Sequence, residues 1–148
     1  MIQRYRSILA LVLAFVTAFL VSCGSPAAKI PTTYTPAQVE LIQQYVSSID
    51  RSKARLPELA KLIQDENWVF VRNFIRGPLG ELRANISAVE RRLLPNAQAK
   101  ARETAKEVAE SLELLDQAAQ VRDYKAAIRD YAALQKNLNA FVELAPKS

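Results

Sequence analysis

Cys23 is the one thiol in a chain of 148 residues that contains no histidine. Without imidazole there is no histidine general base, no zincin motif and no Glu-x-x-His ligand pair of the kind that builds di-iron sites. One cysteine cannot close an intramolecular disulfide, so its neighbours decide its chemistry. Arg4 and Arg6 precede a 14-residue apolar run over 8–21, too short to span a bilayer, and the run ends in Leu20-Val21-Ser22-Cys23. That order of aliphatic, small apolar, small and cysteine has the form of a bacterial lipobox. There the cysteine sulfur takes a diacylglycerol, the leader is cut before it and the new amine is acylated. Several acyl chains hold a protein stably on its membrane, where one does not. The alternatives are a signal peptide whose cysteine follows the cut by chance, or an uncleaved anchor. The sole cysteine standing where lipidation needs it favours the lipobox, and the mature chain then has no free thiol, as suits an oxidising compartment.

Other chemistry is sparse. Nucleophilic catalysis would need a lone Ser, Thr or Lys beside a carboxylate base, and no such pairing is visible, so no catalytic residue and no cofactor are expected. Glu103, Glu107 and Glu110, at steps of four and three, could gather as oxygen ligands for Ca²⁺. Lys100, Arg102 and Lys106 lie among them and the usual Gly/Asp/Asn loop is missing, so a solvated stripe is the expectation, with no metal site. The stretch 66–83 is more unusual: it holds the only Trp and two of the three glycines. At about 100° per residue, Arg72, Arg76 and Arg83 fall within roughly 40° of one another along one flank of the apolar face. Phe70 and Phe74 fall together on the other flank. Exposed aromatics beside arginines are what protein interfaces favour, so these five residues are the candidate docking surface. Against this, a helix touching two neighbours has a wide buried arc that can take both Phe, and arginine flanks are commonly solvated. Trp68, on the apolar stripe, reads as packing, as do Tyr124 and Tyr131.

The elements that would carry these residues emerge from periodicity. Half the residues are hydrophobic and 24% are charged, with at least 15 each of Ala and Leu and only 3 Gly, which points to one helical domain and against all-β folds and phosphate-cradling loops. Residues 24–36 carry three prolines and no periodicity, and read as an extended tether. Val39, Ile42, Val46 and Ile49, then Leu59, Leu62 and Ile63, predict a helix from 37 to about 64 with a kink near Pro57, started by Thr35-Pro36. Asp65 would cap a second helix carrying Trp68, Val71, Ile75, Leu79, Leu82, Ile86, Val89 and Leu93. The unbroken spacing across Gly77-Pro78 favours one bent helix over two. Leu94-Pro95 ends it, with Asn96 as the next cap. The third helix, about 97–120, buries Ala101, Ala105, Val108, Leu112, Leu115 and Ala119. After Val121-Arg122, Asp123 caps a fourth, whose face is Tyr124, Ile128, Tyr131, Leu134, Leu138, Phe141 and Val142. Short links force neighbours antiparallel, giving an all-α, up-down-up-down four-helix bundle. The expected organisation is 1–22 signal peptide, 23–36 lipidated N-terminus and tether, and 37–148 bundle.

Removing 1–22 takes away Arg4 and Arg6 and no acid, so the net charge falls from +5 to +3. That is no nucleic-acid footprint, and export would separate the chain from nucleic acid.

The run Trp68-Val69-Phe70-Val71-Arg72-Asn73-Phe74-Ile75-Arg76-Gly77-Pro78-Leu79-Gly80-Glu81-Leu82-Arg83 resembles the signature of the PsbQ family, and the likeness continues through Leu93-Leu94-Pro95, the Ala-rich third helix and Asp123-Tyr124 to Phe141. The resemblance implies a non-catalytic extrinsic subunit on the lumenal face of photosystem II at the thylakoid membrane, to which the lipobox adds lipid anchoring. It would stabilise the oxygen-evolving complex alongside other extrinsic subunits and help retain calcium and chloride. The lipobox points to the cyanobacterial branch, since chloroplast members carry transit peptides. Two departures limit the transfer. The tether is too short to supply the longer N-terminal docking segment of chloroplast members, and an imidazole metal site has no counterpart here. The alternative reading is a lipid-anchored lipoprotein whose helical bundle binds an ion or ligand.

Overall fold

The computed structural model describes residues 32–147, and these form six helices and no strand. Cys23, the leader and most of the expected tether lie outside the described residues.

Helix α1 (Pro36–Ala54) starts where the sequence predicts. The Thr35 hydroxyl accepts from the Gln38 amide at 3.3 Å, and the Gln38 side chain returns the bond by accepting from Thr35 N–H at 2.9 Å. Its apolar stripe of Ile42, Val46 and Ile49 is buried. The expected kink is a break: α1 ends at Ala54, Arg55 lies between, and α2 (Leu56–Gln64) begins with Pro57 in its first turn, where a missing N–H costs nothing.

Asp65 does not cap the next helix. It sits at the end of α2, where its carboxylate takes the Lys61 ammonium at 2.9 Å, and the residue before α3 (Trp68–Arg76) is Asn67. The second expected helix is likewise two, α3 and α4 (Leu82–Glu90), in place of the single bent helix. Between them Leu79 N–H reaches back to Phe74 C=O at 3.1 Å and Gly80 N–H to Gly77 C=O at 2.9 Å. Pro78 supplies no N–H to continue the ladder. Leu79 and Leu82 remain buried through the turn, so the apolar spacing runs on although the helix does not.

Helix α5 (Pro95–Val121) has Leu94 at its cap, with Asn96 already inside the helix. Leu94 N–H, which the helix leaves over, donates to the Tyr34 hydroxyl at 3.1 Å. The end of the expected tether is therefore held against the α4–α5 turn. Arg122, in the left-handed region with φ 59°, ends α5. Asp123 caps α6 (Tyr124–Val142) by accepting from Ala126 N–H at 3.0 Å, as predicted.

The buried line of α6 differs from the expected one at its start. Tyr124 and Ile128 are each 40% exposed, and Ala127 and Asp130 are buried in their place before the line rejoins Leu134, Leu138 and Phe141. Small Ala127 joins buried Ala118 and Ala119 at the same turn, so the backbones approach closely and the larger side chains stay outside. α6 packs along α5, α1 against α4, and α2 against α3 and α6, while α3 and α4 lie on α5. One continuous apolar core joins all six.

Candidate functional site

The three arginines of 66–83 do line up, along the edge of α5. Arg72 places Nε 3.1 Å from Asp116 Oδ1 and reaches Gln120 at 3.4 Å; Arg76 donates to Asp116 Oδ2 at 3.1 Å; Arg83 donates to Ala109 C=O at 3.4 Å and to Glu113 at 3.5 Å. Rising residue numbers on α3 and α4 meet falling numbers on α5, so the helices run antiparallel. Periodicity placed the arginines on one flank, but it did not reveal that Asp116 and Glu113 meet them. Those two acids, three apart on α5, were the available signal.

The pairing divides the arginines by role. The Arg72 side chain is 30% exposed beside an Asp116 at 24%, whereas the side chains of Arg76 at 61% and Arg83 at 54% stay more than half exposed. Arg72 is mainly a strut and the other two remain presentable to a partner. At Asp116 partial burial pushes the carboxyl up, but the hydrogen bonds from Arg72 and Arg76, with their charges, outweigh it and hold the group below the ordinary aspartate value. Beside the seam lies a cavity of about 300 Å³ between Ile75, Leu79, Arg83 and Leu112.

The two phenylalanines part. Phe70 is 58% exposed, next to Val69 at 67%, while Phe74 is 6% exposed and lies under the Arg55 guanidinium, 5.1 Å from its ring centre. The cause is the wide buried arc of a helix that touches both α2 and α5: Phe74 belongs to the core and cannot form a surface flank with Phe70. Trp68 is buried, as its place on the stripe predicts. Val69 was missed, since a valine beside a core tryptophan carries no signal of exposure.

Elsewhere, Tyr131 donates to Leu56 C=O at 3.1 Å and accepts from Gln135, with its phenol pushed up by burial. Asp130, only 3% exposed, is held by the guanidinium of its neighbour Arg129 at 2.8 Å, a buried charge that periodicity did not single out. Of the α5 carboxylates, Glu103 takes Lys100 at 2.9 Å and Glu110 takes Lys106 at 3.4 Å. Among the described residues no group of three or more acidic side chains is placed to hold a metal, and no helix is long and apolar enough to cross a membrane.

Fold and site together define a small all-helical protein whose distinctive surface is a seam of arginines on carboxylates beside exposed apolar side chains. The family model PsbQ, described as oxygen evolving enhancer protein 3, matches residues 3–146. CyanoQ of Synechocystis sp. is 40% identical over 147 residues, 99% of each chain. The chain belongs to the PsbQ family.

Proposed function

We propose that this chain is a non-catalytic extrinsic subunit of photosystem II, held at the lumenal face of the thylakoid membrane by lipid on Cys23, where it stabilises the oxygen-evolving complex alongside other extrinsic subunits and helps retain its calcium and chloride. The observation that carries this reading is the family match from residue 3 to residue 146, together with a relative alike over its whole length.

The six helical segments fit four arms of an up-down-up-down bundle: α1 with α2, α3 with α4, then α5 and α6. The leader would be 1–22, the lipidated tether 23–36 and the bundle 37–148. Exposure supports a docking surface on this face. Phe70 with Val69 offers apolar area, and Arg76 and Arg83 offer free N–H groups, while Arg72 and Phe74 support them from the seam and the core. Lipid anchoring confines the protein to a thin layer at the complex and raises its effective concentration, so a small contact area suffices. A bound bundle would cover the lumenal side of the complex and slow loss of its ions.

The test compares oxygen evolution of a strain lacking this protein with that of its complemented strain, in medium limiting in calcium and chloride. The reading expects a deficit that the wild-type chain restores. Equal rates in both strains under limitation would contradict it.

A further inference from the structure

At the end of the molecule where the chain enters, a cavity of about 320 Å³ opens between the first turns of α1 and the α4–α5 turn. Arg91, Arg92, Gln38, Gln98 and Leu41 line it, and no carboxylate does. Arg91 donates to the Ser87 hydroxyl at 2.6 Å and Arg92 to Ala88 C=O at 2.7 Å, both neutral acceptors. Among the described residues neither guanidinium has a carboxylate within 4 Å, unlike Arg72, Arg76 and Arg83. Arg92 is further fixed over the Tyr45 ring, 4.7 Å from its centre. Glu90, next in sequence, is held by Arg102 at 3.1 Å, and Glu40 lines a separate cavity with Lys147. Each arginine has five N–H groups in a rigid fork that suits phosphate and sulfonate oxygens. Leu41, 39% exposed, stands at the rim.

The position of the cavity says what meets it. The Tyr34 hydroxyl accepts from Leu94 N–H at 3.1 Å, which pins the incoming chain to the same turn that carries Arg91 and Arg92. From Cys23 to Tyr34 the chain reaches at most about 40 Å, and α5 alone runs about 40 Å beyond that turn. With lipid on Cys23, the entry end can reach the headgroups at any tether extension, whereas seating the far end there would need the tether stretched to its limit. We propose that this cavity takes the anionic headgroup of a membrane lipid, with Arg91 and Arg92 as its ligands. The bundle is thereby oriented with its entry end on the bilayer and the α5–α6 turn away from it. The location rests on the Cys23 lipid reading; the chemistry of the cavity does not.

The test uses the mature chain with Cys23→Ser, so that binding reads the protein surface alone, sedimented with vesicles of phosphatidylcholine or of equal phosphatidylcholine and phosphatidylglycerol. Each cation near an anionic surface strengthens binding about five-fold, so about 25-fold tighter binding to the anionic vesicles is expected. Arg91→Ala with Arg92→Ala should remove most of that difference, and Arg122→Ala, at the α5–α6 turn, should leave it. Should the double variant melt early, Arg91→Gln alone, at an exposed side chain, is expected to lose about five-fold. Equal binding to both vesicles, or an equal loss from Arg122→Ala, overturns the proposal. Displacement by inorganic phosphate at matched ionic strength overturns the lipid assignment in favour of a free anion. The mass of the mature N-terminal peptide reads Cys23 lipidation separately, so failure of the anchor reading is distinguishable from failure of the site.

Discussion

Asp116 is the residue on which the α3–α5 contact turns, because one carboxylate answers two arginines from the facing helix. Its folded pKa lies below its unfolded one, so the stability it contributes is fully present above the ordinary aspartate range, about 3.9. That contribution is lost as pH falls through the folded value. The other carboxyls held low, Glu58 and Glu103, are fully exposed and add little. Asp116→Asn is expected to cost about 1 kcal/mol at neutral pH, a drop in Tm of roughly 3–6 °C. Thermal melts from neutral to acid pH should show wild type falling toward the variant as Asp116 is protonated. A constant gap between the two across that range would remove Asp116 as a titrating strut.

At the scale of elements, the turn between α3 and α4 is the least forgiving joint. A Cβ added to Gly80 would stand 2.6 Å from Arg76 C=O, a backbone atom that cannot step aside, whereas one on Gly77 would stand 3.1 Å from Asn73 C=O. Gly80→Ala is therefore expected to cost about 1–3 kcal/mol, and Gly77→Ala distinctly less, read as urea midpoints. Equal midpoints would mean that the turn yields. This joint also marks the limit of what periodicity carries. Thr35, Asp123 and most core positions on α1 to α5 were legible, because three-and-four spacing and capping chemistry are local, while Leu56, Phe74 and Ala118 join the core without that signal. Whether Gly77-Pro78 bends or breaks a helix was not, since a bond from Leu79 N–H to Phe74 C=O keeps the apolar phase across a real break. Nor was the start of α6, where close approach at Ala127 displaces Tyr124 and Ile128 outward. The candidate site was half legible for the same reason. Spacing places Arg72, Arg76 and Arg83 on one flank, but only packing shows Asp116 beneath two of them and α2 over Phe74.

At the scale of the whole molecule, the side chains that hold the bundle together are distinct from those of the proposed docking surface. Phe74 belongs to the first group and Phe70 to the second, although helical geometry sets them only about 40° apart. Phe74→Ala should cost about 3–5 kcal/mol as a core truncation, while Phe70→Ala should leave stability within about 0.5 kcal/mol and weaken retention on the partner. The measurement that tests the central claim most directly is capture of this protein from detergent-solubilised thylakoid membranes through a C-terminal tag, with wild type and Phe70→Ala side by side. The eluates are assayed for photosystem II subunits and oxygen evolution. Active photosystem II co-purifying with wild type, and clearly less with an equally stable Phe70→Ala, is the predicted result. Recovery of the protein alone, or with unrelated membrane proteins, would contradict its place as a photosystem II subunit.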